Sequence, residues 1–177
     1  GLNLAVNLSA HQLMDPNLVD RVKTALKQSS FSPASLILEI SETTAASEVE
    51  MNEAAFQELH KMGVQIFVDN FGSTYSSLSY LKRFCVSGIK IDPAFIRDLD
   101  KNPDDMSIVS AIVSMARILN LHVVAGGVTQ DSQLNYLHTR QVDEVQGFLF
   151  SKPVSAEKAS RLLDERRNLL HNREEEI

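Results

Sequence analysis

Six short apolar runs recur along the 177-residue chain, each followed by a stretch with helical spacing, and that alternation constrains the fold more than any single motif. The runs are residues 2–8, 36–40, 66–68, 87–91, 122–125 and 144–147. Short connections and the absence of an internal linker predict an α/β domain with a parallel sheet, either open and doubly wound or closed as a barrel. No Gly-rich dinucleotide fingerprint follows the first run, which argues against the Rossmann arrangement. The residues at or near the run ends are Asn7, Glu39, Asp69 with Asn70, Lys90 with Asp92, Gly126 and Gln146. Polar groups at almost every strand end favour a barrel, whose site is assembled from several strands. A barrel of this kind has eight βα units and six are present, so the expectation is a TIM-like (β/α) barrel with its first two strands missing. Such a sheet has an unpaired edge, through which either poor solubility or a homodimer is expected.

The helical stretches carry their own punctuation. Asp15-Pro16 is expected to open a helix with Leu18, Val19, Val22, Ala25 and Leu26 at helical spacing. Ser47-Glu48-Val49-Glu50 reads as a capping box before Met51, Ala54, Ala55, Leu59 and Met62, with Gly63 as the stop. Asn102-Pro103 starts the strongest helix, with Ile108, Ala111, Ile112, Met115 and Leu119 on its predicted inner face. The barrel core is expected over residues 1–154 and a C-terminal helix over about 155–177, which becomes charged toward its end.

Composition excludes several classes. A formal charge of −6 without a Lys/Arg run leaves no broad footprint for DNA or RNA, though a pocket for one small anion remains open. The single Cys85 excludes an internal disulfide and suits a reducing compartment. No apolar run approaches membrane-spanning length. The chain therefore reads as cytoplasmic, or as the cytosolic part of something larger. The five histidines are scattered without metal-binding spacing and read as surface or packing residues.

The stretch Ile66-Phe67-Val68-Asp69-Asn70-Phe71-Gly72 delivers an acid and an amide from the end of a buried strand into a turn. Asp, Asn and Gly are also ordinary turn residues, so this stretch alone leaves both meanings open. Glu39 and Asp69 converging with Asn7 would form a hard-oxygen cluster suited to Mg²⁺ or Mn²⁺. Lys90 beside it could orient a water or bind a phosphate. The alternatives are that Asn7 caps a turn, Glu39 pairs with a surface base, and Lys90 is a solvated strand end.

The ordered motifs Val6-Asn7-Leu8-Ser9-Ala10, Leu38-Glu39-Ile40-Ser41-Glu42, Asp69-Asn70-Phe71-Gly72, Ile89-Lys90-Ile91-Asp92, Val123-Val124-Ala125-Gly126-Gly127-Val128 and Glu144-Val145-Gln146-Gly147-Phe148-Leu149-Phe150 run nearly end to end. In them the chain resembles the EAL domain family, bacterial cyclic di-GMP phosphodiesterases and their non-hydrolysing relatives. The resemblance implies a modified TIM barrel in which two divalent ions activate a water against a phosphodiester. It implies that Asn7, Glu39 and Asp69 keep the family's ligand type, as a vestigial first metal site, and that Lys90 and Gln146 match its catalytic Lys and Gln. The Glu of the Glu-Ala-Leu signature would lie before Gly1. The family's second Asp is Asn70 here, a Glu of its Ala-Glu-Gly-Val-Glu motif is Gly126, the motif's last Glu is Thr129, and a loop Gly is Thr74.

Those departures imply that the second metal site is lost and Lys90 is vestigial as a catalyst. The implied function is a degenerate receptor that binds cyclic di-GMP without hydrolysis and with no metal required, and signals to a protein partner such as a PilZ-type domain. Its ligand contacts would come from Asn7, Glu39, Asp69, Asn70, Lys90, Asp92, Gly126 and Gln146. The alternatives are an active phosphodiesterase using Mg²⁺ or Mn²⁺ and releasing linear pGpG, and a scaffold that binds no nucleotide.

Overall fold

A computed structural model of the chain describes residues 2–47, 49–73, 80–81 and 85–164. Six strands form one sheet in chain order: β1 (Leu4–Asn7), β2 (Leu36–Ser41), β3 (Gln65–Phe71), β4 (Gly88–Ile91), β5 (His122–Gly126) and β6 (Glu144–Gln146). Every adjacent pair is parallel. A doubly wound sheet reverses its strand order at a switch point. Here each strand adds beside the last, the order of a barrel wall, and the six strands make a half-barrel. The helices are α1 (Ala10–Leu13), α2 (Leu18–Ser29), α3 (Glu42–Ser47), α4 (Val49–Lys61), α5 (Pro93–Arg97), α6 (Pro103–Ile118), α7 (Asp131–Thr139) and α8 (Ala156–Asp164), with a short 3₁₀ turn (Pro33–Ser35) before β2.

The period-two alternation of the strands separates two faces. Leu36, Leu38, Ile40, Ile66, Val68, Ile89, Ile91, Val123 and Ala125 join the helices in one continuous core. The alternate residues Ile37, Phe67 and Val124 form a separate cluster on the concave face. One pleat further along that face come Glu39, Asp69 and Gly126. Lys90 is in register with Val124, Asn7 with Glu39, and Gln146 with Gly126. Asn7, Glu39, Asp69, Lys90, Gly126 and Gln146 thus share one side of the sheet, at its C-terminal end. All four residues of β1, an edge strand, are exposed.

Several helix expectations are corrected. Ser9 does more than close the first run: it caps α1, with its hydroxyl accepting from the Gln12 N–H at 3.3 Å. Pro16 lies in a turn and α2 begins at Leu18, because the Asp15 carboxylate accepts from the Asn17 N–H and closes a turn first. In α4, Phe56 and Leu59 are fully buried while Ala54 is exposed. A buried Phe or Leu contributes about 1.5–3 kcal/mol and an alanine far less, so the larger groups set the helix rotation. The capping box around Glu48 lies outside the described residues. In α6 the buried stripe is Val109, Ile112, Val113 and Ala116, and Ile108 and Ala111 face outward. That helix is apolar on most of its circumference, so periodicity alone could not choose between two adjacent stripes. Asn102 does cap it, accepting from the Asp104 N–H at 3.0 Å. Among the described residues no helix is long and apolar enough to cross a membrane.

Candidate functional site at the strand ends

Strand β3 does not stop at Asp69, as the short apolar run suggested, but continues through Phe71. Its register against β4 shifts between Val68 and Phe71, and Asn70 sits at φ 56°. Asn tolerates that left-handed conformation better than most residues. The irregularity lets Asp69 and Asn70 present two successive polar groups while Phe71 returns to the core. The Asn70 amide donates to Asp69 Oδ2 at 3.2 Å.

Lys90 enters from β4. Its ammonium lies 3.2 Å from both Glu39 Oε1 and Oε2 and 3.8 Å from Asp69 Oδ1. The side chains of Lys90, Glu39 and Asp69 are 14%, 8% and 20% exposed. Glu39 therefore pairs with an interior base rather than a surface one, and Lys90 is not a solvated strand end. Breaking a buried pair of this kind by removing one partner costs about 3–5 kcal/mol, because the other charge is left without compensation.

The remaining predicted residues are placed differently. Asn7 is exposed on the edge strand, beside Glu39 in register. Asp92 caps α5, accepting from the Ala94 N–H at 2.7 Å. Gly126 has no side-chain ligand atom, and a Cβ built there would lie 3.5 Å from Lys90 Cε. Gln146 follows on β6, and the chain leaves it through Gly147. A Cβ at Gly147 would fall 1.9 Å from the Val128 carbonyl oxygen, so only glycine lets the two strand-exit turns cross there. Thr129 donates its N–H to Gln133 Oε1 at 2.8 Å. Thr74 lies outside the described residues.

Three features escaped the sequence reading. Glu42, the first residue of α3, is buried and accepts from the Gly72 N–H at 3.0 Å, tying α3 to the turn after β3. An acid at a helix start directly after a strand end was the available signal. Gln133 is fully buried and joins the turn after β5 to the end of α5. Lys152 and Phe148 line a cleft of about 680 Å³, together with Gly127, Thr129, Gln146 and Pro153. Phe148 is 60% exposed and presents its ring to that cleft.

Among the described residues no three His, Cys, Asp or Glu side chains are grouped as metal ligands. Glu39 and Asp69 face an ammonium, Asn70 donates to Asp69 instead of adding a charge, and Gly126 contributes nothing.

Six sequentially ordered parallel strands with charged groups gathered at their C-terminal ends define a (β/α)-barrel domain with its site in the usual barrel position. The model of the EAL domain matches residues 1–153, and the chain belongs to the EAL domain family. It is 46% identical over 156 residues to the bifunctional diguanylate cyclase/cyclic di-GMP phosphodiesterase MucR of Pseudomonas aeruginosa, covering 88% of this chain and 23% of that protein. It is 39% identical to the cyclic di-GMP phosphodiesterase PdeR of Escherichia coli, covering 88% of this chain and 24% of PdeR. The chain thus spans about a quarter of the length of these relatives. The solved MucR phosphodiesterase in complex with cyclic di-GMP superposes with a TM-score of 0.83 at 45% identity, over 89% of this chain and 64% of that one. The EAL domain of Mycobacterium smegmatis DcpA gives 0.87 at 34% identity, over 93% and 74%.

Proposed function

We propose that the chain is the nucleotide-binding part of a cyclic di-GMP receptor, which binds the dinucleotide without hydrolysing it and passes the signal to a protein partner. One observation carries this reading: the Lys90 ammonium is held between Glu39 and Asp69 while Asn70 and Gly126 supply no carboxylate. Two-metal hydrolysis needs one ion to activate the water and both to stabilise the developing charge. Replacing a carboxylate by an amide removes a full charge, and glycine removes the ligand altogether. Hard divalent cations depend on those oxygens.

Binding is less demanding than turnover. Cyclic di-GMP is a dianion with two flat bases, and a pocket can hold it through donors to phosphate and apolar contacts to a base. Asn7 lies at the end of β1, Gln146 and Lys152 supply donors in the cleft beside Gly127, and Phe148 offers an apolar wall there for a guanine. The similarity to MucR, solved with cyclic di-GMP, supports the choice of ligand.

The test is calorimetry with cyclic di-GMP in EDTA, alongside a product assay with Mg²⁺ or Mn²⁺. A dissociation constant of about micromolar or tighter is expected, near −8 kcal/mol, unchanged by EDTA. A second reading, a working phosphodiesterase, is favoured by the names of the relatives and by the retention of Glu39, Asp69, Lys90 and Gln146. Linear dinucleotide accumulating at about 1 s⁻¹ or faster would establish it over the receptor. No binding at hundreds of micromolar would leave only a protein scaffold.

A further inference from the structure

We propose that Lys152 selects the base of the ligand, reading the N7 and O6 edge of a guanine seated against Phe148, a selection that rests on the cyclic di-GMP binding proposed above. The cleft of about 680 Å³ opens directly off the strand ends, because Gln146 belongs to both. Gln146 is in register with Gly126 on β5, and it lines the cleft beside Gly127 and Phe148. A cyclic dinucleotide with its phosphates at the strand ends can therefore place one base there.

The chemistry of the lining decides which base. Phe148, Pro153 and Leu162 make its walls apolar, so the few polar groups set the specificity. Among the described residues Lys152 is the one charged side chain lining the cleft, and no carboxylate does. A carboxylate would suit the donors that guanine carries on its pairing edge. Its other edge presents two acceptors, N7 and O6, whereas adenine presents N7 beside an amine. An ammonium has three donors and no acceptor. It can satisfy both guanine atoms, but it meets the adenine amine donor to donor. Phe148 offers a flat face to either base and does not discriminate between them. Lys152 is exposed in the connection between β6 and α8, so its head can reach a base edge without breaking the core.

The test measures cyclic di-GMP, cyclic di-IMP and cyclic di-AMP by calorimetry in EDTA. The proteins are the parent, Lys152→Met, Lys152→Arg and Lys27→Met, the last a control for surface charge on α2. Lys152→Met should lower the preference for cyclic di-GMP over cyclic di-AMP by about 5- to 150-fold, the usual worth of a donor pair on one base edge. The preference for cyclic di-IMP over cyclic di-AMP should fall by the same factor, since inosine keeps N7 and O6 and lacks only the amine on the pairing edge. Lys152→Arg and Lys27→Met should keep the preference of the parent. Equal weakening of all three ligands by Lys152→Met overturns the proposal, because the lysine would then only attract phosphate. A fall for guanine but not for inosine overturns it too, by moving the reading to the pairing edge. In both cases cyclic di-GMP binding by the parent stands; a parent that binds none of the three ligands removes the receptor reading and this selection together.

Discussion

Gln133→Ala is expected to be among the most destabilising polar substitutions in the chain. The Gln133 side chain is fully buried. Its oxygen accepts from the main-chain N–H groups of Thr129 at 2.8 Å and Gln130 at 3.0 Å. Its amide donates to the carbonyls of Ile96 and Arg97, both at 3.0 Å. One side chain therefore joins the exit of β5 to the end of α5. Truncation leaves four main-chain groups without their partner. At a net value of about 1 kcal/mol for each bond, the loss is about 3–4 kcal/mol, before any term for the cavity. For a chain of this size that corresponds to a fall of roughly 10 °C in Tm. Urea and thermal denaturation followed by circular dichroism would measure it. Gln133→Glu sharpens the test: its carboxylate can still accept from residues 129 and 130, but its second oxygen faces two carbonyls. The protonated form can donate to them, so the folded-state pKa of the introduced acid should rise above the ordinary glutamate value of about 4.3. Its stability should therefore be low at neutral pH and return as the pH falls through that raised value. A loss below about 1 kcal/mol in the alanine variant, or a glutamate variant as stable as the parent at pH 7, would refute this account.

Two further outcomes concern the site. Asn70→Asp and Gly126→Glu together should gain Mn²⁺ binding measurable by calorimetry, while either alone changes little, because one added carboxylate leaves a dication under-coordinated; parent-like binding by the double variant would show that the missing acids are not what limits the site. Phe148→Ala should weaken cyclic di-GMP binding by about 1–3 kcal/mol, the usual value of an aromatic–base contact, with little change in Tm because the ring is largely exposed; unchanged affinity would place the guanine elsewhere.

The strand count and its order were legible because each buried strand is a short run rich in β-branched and aromatic residues. Polar residues interrupting those runs marked the concave face. Asn7, Glu39, Asp69, Lys90 and Gln146 all occur on strands that the hydrophobic pattern had already located. What could not be read was direction and partnership at the next level. Asn70 lies within a strand because of a bulge, and local sequence offers only an Asn before a Phe to signal it. The rotation of α6 depends on what the sheet presents to it, since Val109 and Ile108 are equally apolar neighbours. Gln133 was invisible for a different reason: a glutamine at the third position of a helix usually caps its own turn, and nothing local shows that its amide reaches α5 as well.

The floor beneath the site explains why its charges must be balanced within it. Phe67 fills the concave face one pleat below Asp69, packed over Gly88, where a Cβ would come within 2.6 Å of the ring. Ile37 and Val124 complete that apolar layer, and the His122 ring stands 5.8 Å from Phe67. Glu39 therefore has a hydrocarbon surface below it and little water beside it, a setting in which an unpaired carboxylate is costly. A cation is required whether or not a metal is available, and β4 supplies one in register with that floor. Adding acids at positions 70 and 126 without adding a cation would exceed what one ammonium can hold. Removing the ammonium would leave Glu39 without that partner and Asp69 with the Asn70 amide, among the described residues. The number of carboxylates above the floor and the identity of the cation are consequently one property of the site, and a change in either should shift metal binding before it alters the barrel.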